Sequence, residues 1–200
     1  MVSAVKELNI IIAGVGGQGV VLLSDILGDA SVRGGLKVRG SEVLGMAQRG
    51  GSVFSNIRVG ESVESPMTAE GKCDVLIALE PTEALRNNRF LNKDSVVIVS
   101  TNKVIPSTVS IGASKYPEID DVINKLKETA GKVFTVDAVS MAEQAGSRQS
   151  SNVVMLGSLF ATGKMPFTPE IAKGIIGERF KEKIAAINYK AFDLGYESVK

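Results

Sequence analysis

Two short glycine-rich stretches hold the residue types best suited to chemistry in this chain. In IIIAGVGGQG, Ile10–Gly19, the glycines Gly14, Gly16 and Gly19 match the spacing G-x-G-x-x-G, with Gly17 as a fourth and Gln18 between the last two. In a dinucleotide site the first glycine of that pattern makes a tight strand-to-helix turn. The second lets the backbone approach a pyrophosphate, and the third lets helix pack on strand. The amides that open the helix then face the anion. Further along, GMAQRGGS spans Gly45–Ser52 and places Arg49 between Gln48 and the pair Gly50-Gly51. A guanidinium on a flexible glycine loop is a good grip for a carboxylate or phosphate. The bland alternative for this second loop is a tight turn with a solvated Arg49.

A dinucleotide also needs an acidic residue near the end of the second strand for its ribose. That region reads LKVRGSEVLG, where Glu42 is the only candidate and lies beyond Gly40. Three readings of Gly14–Gly19 therefore stay open: a dinucleotide, some other anion or cofactor fragment, or glycines that serve turn and packing alone.

What the chain lacks narrows the chemistry. It has no histidine, hence neither the commonest general base nor the commonest transition-metal ligand. Its single cysteine, Cys73, cannot hold an iron–sulfur cluster, which takes about four ligands. Cys73 heads the apolar run CDVLIAL and reads as a small buried residue. A net charge of +1 and 5% aromatic residues argue against a nucleic-acid surface. The N-terminal stretch MVSAVKELNI has no leader pattern, and no apolar run approaches the ~18 residues of a membrane span. The expectation is a soluble cytoplasmic protein with no partner among nucleic acids or membranes.

The elements that must position these loops follow from periodicity. Leu8–Ala13 is nearly continuously apolar, as a strand buried on both faces is. Val20, Leu23, Leu27 and Ala30 recur at helical spacing up to Gly34-Gly35. Strands are predicted over Leu36–Ser41, Ser52–Val59, Asp74–Leu79, Ser95–Ser100 and Val133–Val136, and helices from Pro81 and over Ile119–Thr129. Residues 101–118 read as a loop with room for a short strand. Asp137 is placed to cap a helix; Glu80 follows a strand end and is placed either to cap the helix opened by Pro81 or to face the crevice of the glycine loops. From Ser150 the pattern is helical: Asn152–Thr162, with Gly157, Ser158 and Ala161 for close approach, then a piece opened by Pro169 that breaks near Gly177, then a last helix stopped by Gly195.

Strands alternating with helices predict an α/β, Rossmann-like fold, with a mostly parallel sheet and helices on both faces. It is expected as one domain, with an α/β core over residues 1–149 and a helical C-terminal region over residues 150–200. The first and second strands are expected to be neighbours, which would bring both glycine loops to one crevice. Among other polar residues, Arg58 reads as a surface ion pair, Arg148 and Gln149 as a polar loop, and Met46 equally as core or contact.

The two loops together carry a resemblance that neither carries alone. GVGGQGVV at Gly14–Val21 followed by SEVLGMAQRGGSVFSNIRVG at Ser41–Gly60 resembles the gamma-type domain of the 2-oxoacid:ferredoxin oxidoreductases. The GMAQRGGSV version is most similar to the small, beta subunit of the indolepyruvate type, and NVVMLG at Asn152–Gly157 is also family-like. The resemblance spans essentially the whole chain. It implies a subunit of a complex that oxidatively decarboxylates a 2-oxoacid, an aryl pyruvate in this type, to an acyl-CoA, carbon dioxide and reduced ferredoxin. It further implies that thiamine diphosphate and [4Fe-4S] clusters reside on a larger alpha subunit, with coenzyme A and ferredoxin used by the assembled complex.

The composition is consistent with a chain that carries no cofactor. No cluster motif is present, and GDA at Gly28–Ala30 is the nearest text to a thiamine-binding G-D-G. Under this reading Gly14, Gly16, Gly17, Gln18, Gly19, Glu42, Met46, Gln48, Arg49, Gly50 and Gly51 form a surface facing the partner's active site. No residue of this chain is assigned a catalytic or metal-binding role. A homodimer of the isolated subunit is a further expectation. The competing functions are a stand-alone Rossmann-type oxidoreductase and a non-catalytic binding module of the same ancestry.

Overall fold

The computed structural model describes residues 6–45 and 50–199. Its centre is β1 (Leu8–Val15), LNIIIAGV, buried at every position. On one side β1 pairs in parallel with β4 (Val75–Ala78), which pairs with β5 (Val96–Ser100), which pairs with β6 (Lys132–Val136). On the other side a hairpin of β2 (Lys37–Leu44) and β3 (Ser52–Gly60) is added, giving the order β2-β3-β1-β4-β5-β6. β3 runs antiparallel to both its neighbours, so it alone opposes the direction of the other strands.

Alternation along the strands builds two cores. Ile10, Ile12, Ile77 and Ile98 face one side. There they pack with α1 (Val20–Arg33), α5 (Ala138–Ala145), α6 (Ser151–Ala161), α7 (Pro169–Arg179) and α8 (Glu182–Glu197). Ile11, Ala13, Leu76 and Val97 face the other side. They meet α2 (Pro81–Arg86) and α4 (Ile119–Thr129) through Ala84, Val122 and Leu126. Side chains at successive strand positions point to opposite faces, so a strand buried at every position needs cover on both. The C-terminal helices thus complete the same core as the strands.

The expected adjacency of the first two strands is not what forms. β3, which alternates less and is largely buried, takes the place beside β1. β2 reads KVRGSEVL, is mostly exposed, and lies at the edge. A strand with charges on both faces cannot sit between buried neighbours, and an edge suits it. The segment 101–118 holds no strand; it carries the single turn α3 (Ser107–Ser110).

The two expected helix ends fall just past their glycines, α7 at Arg179 and α8 at Glu197. α7 passes through Gly177, whose missing side chain leaves room for the Tyr189 hydroxyl. α8 passes through Gly195 to Glu197. A Cβ on Gly195 would collide with the Val154 carbonyl oxygen of α6, and one on Gly157 with the Phe192 carbonyl oxygen of α8. These glycines let two helix backbones touch, and the Ser158 hydroxyl hydrogen-bonds the Gly195 carbonyl at 3.1 Å across the same crossing.

Candidate functional site

The two glycine loops do meet, though through β3. Val15 and Ser52 are paired at the end of the β1–β3 ladder. Immediately beyond, the Gly16 amide donates to the Gly51 carbonyl (2.8 Å) and the Gly50 amide donates to the Gly16 carbonyl (3.2 Å). An antiparallel neighbour puts the start of β3 against the end of β1, so the hairpin loop reaches the β1–α1 turn without β2 lying beside β1. Met46, Gln48 and Arg49 lie outside the described residues.

Most of the first loop is accounted for by contacts within the chain. Gln18 folds back: its Oε1 accepts the Val15 amide at 2.8 Å and its Nε2 donates to the Leu79 carbonyl at 2.9 Å. A Cβ on Gly14 would press on Gln18, Val20 and Leu79. Gly19 has φ 77°, and a Cβ there would meet the Asn152 amide, which donates to the Gly19 carbonyl at 3.3 Å. Gly17, at φ 100°, has no neighbour within 4 Å of a built Cβ and presents bare backbone outward. No side chain caps α1.

Beside the loops lies a cleft of about 820 Å³, walled by Gly16, Gly17, Val20, Val21, Leu22, Leu44 and Val53 among others. Its walls are largely apolar, and Asp25 is the one charged side chain among the described residues that line it. A dinucleotide pyrophosphate beside a carboxylate gains nothing electrostatically. Glu42 is exposed on β2, opposite Ser55, and lines a separate groove with Ser24, Asp25 and Asp29. Because β3 intervenes, Glu42 is not at the end of a strand beside β1, where a ribose partner would stand. Gly14–Gly19 thus keeps the spacing of the dinucleotide pattern with the acidic element displaced.

Of the acidic pair next to these loops, sequence reading singled out Glu80 but not Glu83. Glu80 caps α2 as expected, accepting the amides of Thr82 (2.7 Å) and Glu83 (3.2 Å), yet it is wholly buried. It also accepts the Tyr116 hydroxyl and, at 3.4 Å, the Val104 amide. Burial and the neighbouring Glu80 carboxylate push the Tyr116 phenol well above its ordinary range. Glu83, also buried, accepts the Ser52 hydroxyl at 2.5 Å and pairs with Arg86 Nε at 2.9 Å. Its carboxyl is raised above the usual range, chiefly by burial. The available signal was the run E-P-T-E, with acids at the cap and at the third helical position, just after a buried strand.

The remaining polar expectations resolve as structure. Arg58 bonds Glu7 at 2.7 Å and Asn9 at 2.7 Å. Arg148 lies 3.7 Å from Glu143. Cys73 is buried, donates to the Val75 carbonyl at 3.1 Å, and its thiol is pushed up to about 12 by desolvation. Among the described residues no group of acidic or cysteine side chains is arranged to hold a metal, and no helix is long and apolar enough to cross a membrane.

A parallel sheet with an antiparallel hairpin on one edge and two mutually bonded glycine loops defines a class, and the comparisons give it a family. Residues 9–198 match the family model described as pyruvate ferredoxin/flavodoxin oxidoreductase; the chain belongs to that family. It is 48% identical over 190 residues to "Indolepyruvate oxidoreductase subunit IorB" of Archaeoglobus fulgidus, covering 95% of this chain and 94% of that protein. It is 40% identical over 196 residues to the protein of the same name from Thermococcus kodakarensis, covering 98% and 97%. In fold it is similar to the pyruvate oxidoreductase subunit PORC of Thermotoga maritima, with TM-score 0.74 and 23% identity over 98% of each chain. It is also similar in fold to part of a 2-oxoglutarate:ferredoxin oxidoreductase from Magnetococcus marinus, with TM-score 0.74 and 20% identity. That match covers 98% of this chain and 31% of the other.

Proposed function

We propose that this chain is the small, non-cofactor-bearing subunit of a ferredoxin-dependent oxidoreductase that decarboxylates indolepyruvate or another aryl pyruvate to an acyl-CoA. The observation that carries the reading is the similarity, at 48% and 40% identity over nearly the full length, to two indolepyruvate oxidoreductase subunits. In this reading thiamine diphosphate and the [4Fe-4S] clusters are carried by a larger partner. One cysteine and no histidine leave this chain short of the thiolates a cluster needs. Cofactors supply the hard chemistry in such complexes, and protein supplies position and electrostatics.

The bonded loops Gly14–Gly19 and Gly45–Ser52 are the surface turned toward the partner's active site. Gly17 supplies backbone that a ligand or partner can approach closely, and Arg49 supplies positive charge for an anionic group of substrate or coenzyme A. Ferredoxin and coenzyme A engage the assembled complex, which works in the cytoplasm.

The test is anaerobic affinity purification of the tagged chain, followed by assay of ferredoxin reduction with indolepyruvate and coenzyme A. A larger chain carrying thiamine and iron should co-purify, and the mixture should reduce ferredoxin. A colourless chain recovered alone, under conditions that preserve such complexes, would overturn the reading. Arg49→Ala should lower turnover of the complex without unfolding the subunit; normal turnover would remove the loop from the active-site surface.

A further inference from the structure

Residues 79–83 leave β4, open α2 and hold three separate segments at one end of the sheet. The Leu79 carbonyl takes Gln18 of the first glycine loop (2.9 Å). Glu80 takes Tyr116 and Val104 of the segment after β5. Glu83 takes the Ser52 hydroxyl (2.5 Å), and Ser52 follows Gly50-Gly51 directly.

Glu83 is the costly member of this set. Its side chain is 4% exposed, and its ion-pair partner Arg86 is 66% exposed. Burying a carboxyl group is unfavourable unless its bonds repay it. α2 does not need Glu83 to begin, because Glu80 already accepts the first free amides of the helix. What Glu83 does hold is the stem of the second loop, at the point where Gly51 accepts the Gly16 amide.

We propose that Glu83 is a positioning residue: through Ser52 it fixes the Gly50–Ser52 stem of the second loop against Gly16, and so sets how the bonded Gly16–Gly17 and Gly50–Gly51 backbone is presented to the partner. The assignment to turnover rests on the reading of these loops as facing the partner's active site. The tether itself does not.

Two measurements separate these parts. Amide hydrogen exchange on the full chain reads the tether without any turnover. Glu83→Ala and Ser52→Ala should each speed exchange of the amides of Gly16 and Gly50 by about tenfold, a loss of local opening free energy of ordinary hydrogen-bond size. Exchange in α4 and α6 should stay unchanged. Ser52→Ala removes only a hydroxyl and carries the test if Glu83→Ala does not fold. Unchanged exchange in the folded variants would overturn the tether.

In the assembled complex, Glu83→Ala should lower kcat/KM. Its effect should be largely absent in the Ser52→Ala background, as expected of coupled residues in a double-mutant cycle. Losses that simply add would overturn the action through Ser52 and leave Glu83 as a stability residue. If Arg49→Ala alone turns over normally, the active-site reading fails, while the exchange result still decides the tether.

Discussion

The amide of Gly16 points at the carbonyl of Gly51 at 2.8 Å, and this bond joins two loops separated by a helix and a strand in sequence. It forms because β3, not β2, lies against β1, so that Val15 and Ser52 close the ladder just before the loops diverge. Each loop thereby takes its shape partly from the other.

That arrangement ranks the glycines of the first loop. Gly17→Ala adds a side chain into open space at φ 100° and should cost about 1–2 kcal/mol of stability for the left-handed backbone alone. Gly19→Ala adds a clash with Asn152 to a similar backbone strain and should cost more. Urea unfolding of both variants checks the order. In the complex, Gly17→Ala should lower activity further than its small stability loss explains, since it blocks the one open face of the loop.

Gln18 satisfies two backbone groups with one side chain. Gln18→Ala leaves the Val15 amide and Leu79 carbonyl without those partners, which should cost about 1–3 kcal/mol. A variant as stable as the parent would mean that water replaces both bonds at no cost.

The glycine contact between α6 and α8 makes a stronger claim. Gly157→Ala and Gly195→Ala each force a methyl group into a backbone carbonyl. Either should destabilise by about 1–3 kcal/mol or more, as overpacked cores do. Thermal unfolding that matches the parent would show that the helices separate freely.

Cys73 offers a probe of unfolding. Buried, with its thiol pushed up to about 12, it should resist alkylation at neutral pH in the folded chain and react readily once urea unfolds it. Fast labelling under native conditions would contradict its burial.

Glu83 should leave a pH signature. Its carboxyl is raised on folding, so the folded chain holds that proton more tightly than the unfolded chain. Its contribution is therefore fully present below the ordinary carboxylate value and falls as pH rises through the raised one. Glu83→Gln removes this dependence. Urea titrations of both chains at a series of pH values should show the parent losing stability relative to the variant as pH rises; a constant difference would rule the effect out.

Much of this was legible along the chain. The helix Ile119–Thr129 forms with the bounds its periodicity predicts, and Asp137 caps α5 by accepting the Ser140 amide. Buried strands announced themselves as nearly unbroken apolar runs, because a strand covered on both faces has few positions left for polar side chains. The glycine loops and their joint resemblance pointed to the family. Local sequence decides such features because caps, turns and periodic faces involve residues a few positions apart.

Long-range contact decided the rest. Nothing near Gly195 says whether it ends a helix or admits one; the answer lies in Val154 on α6. Nothing near Glu42 says which strand will separate it from β1. Glu83 reads as one more acid in a helix until Ser52, far back in the chain, comes to its carboxylate. Strand order, close helix crossings and buried polar pairs depend on partners distant in sequence, and only the folded chain brings those partners together.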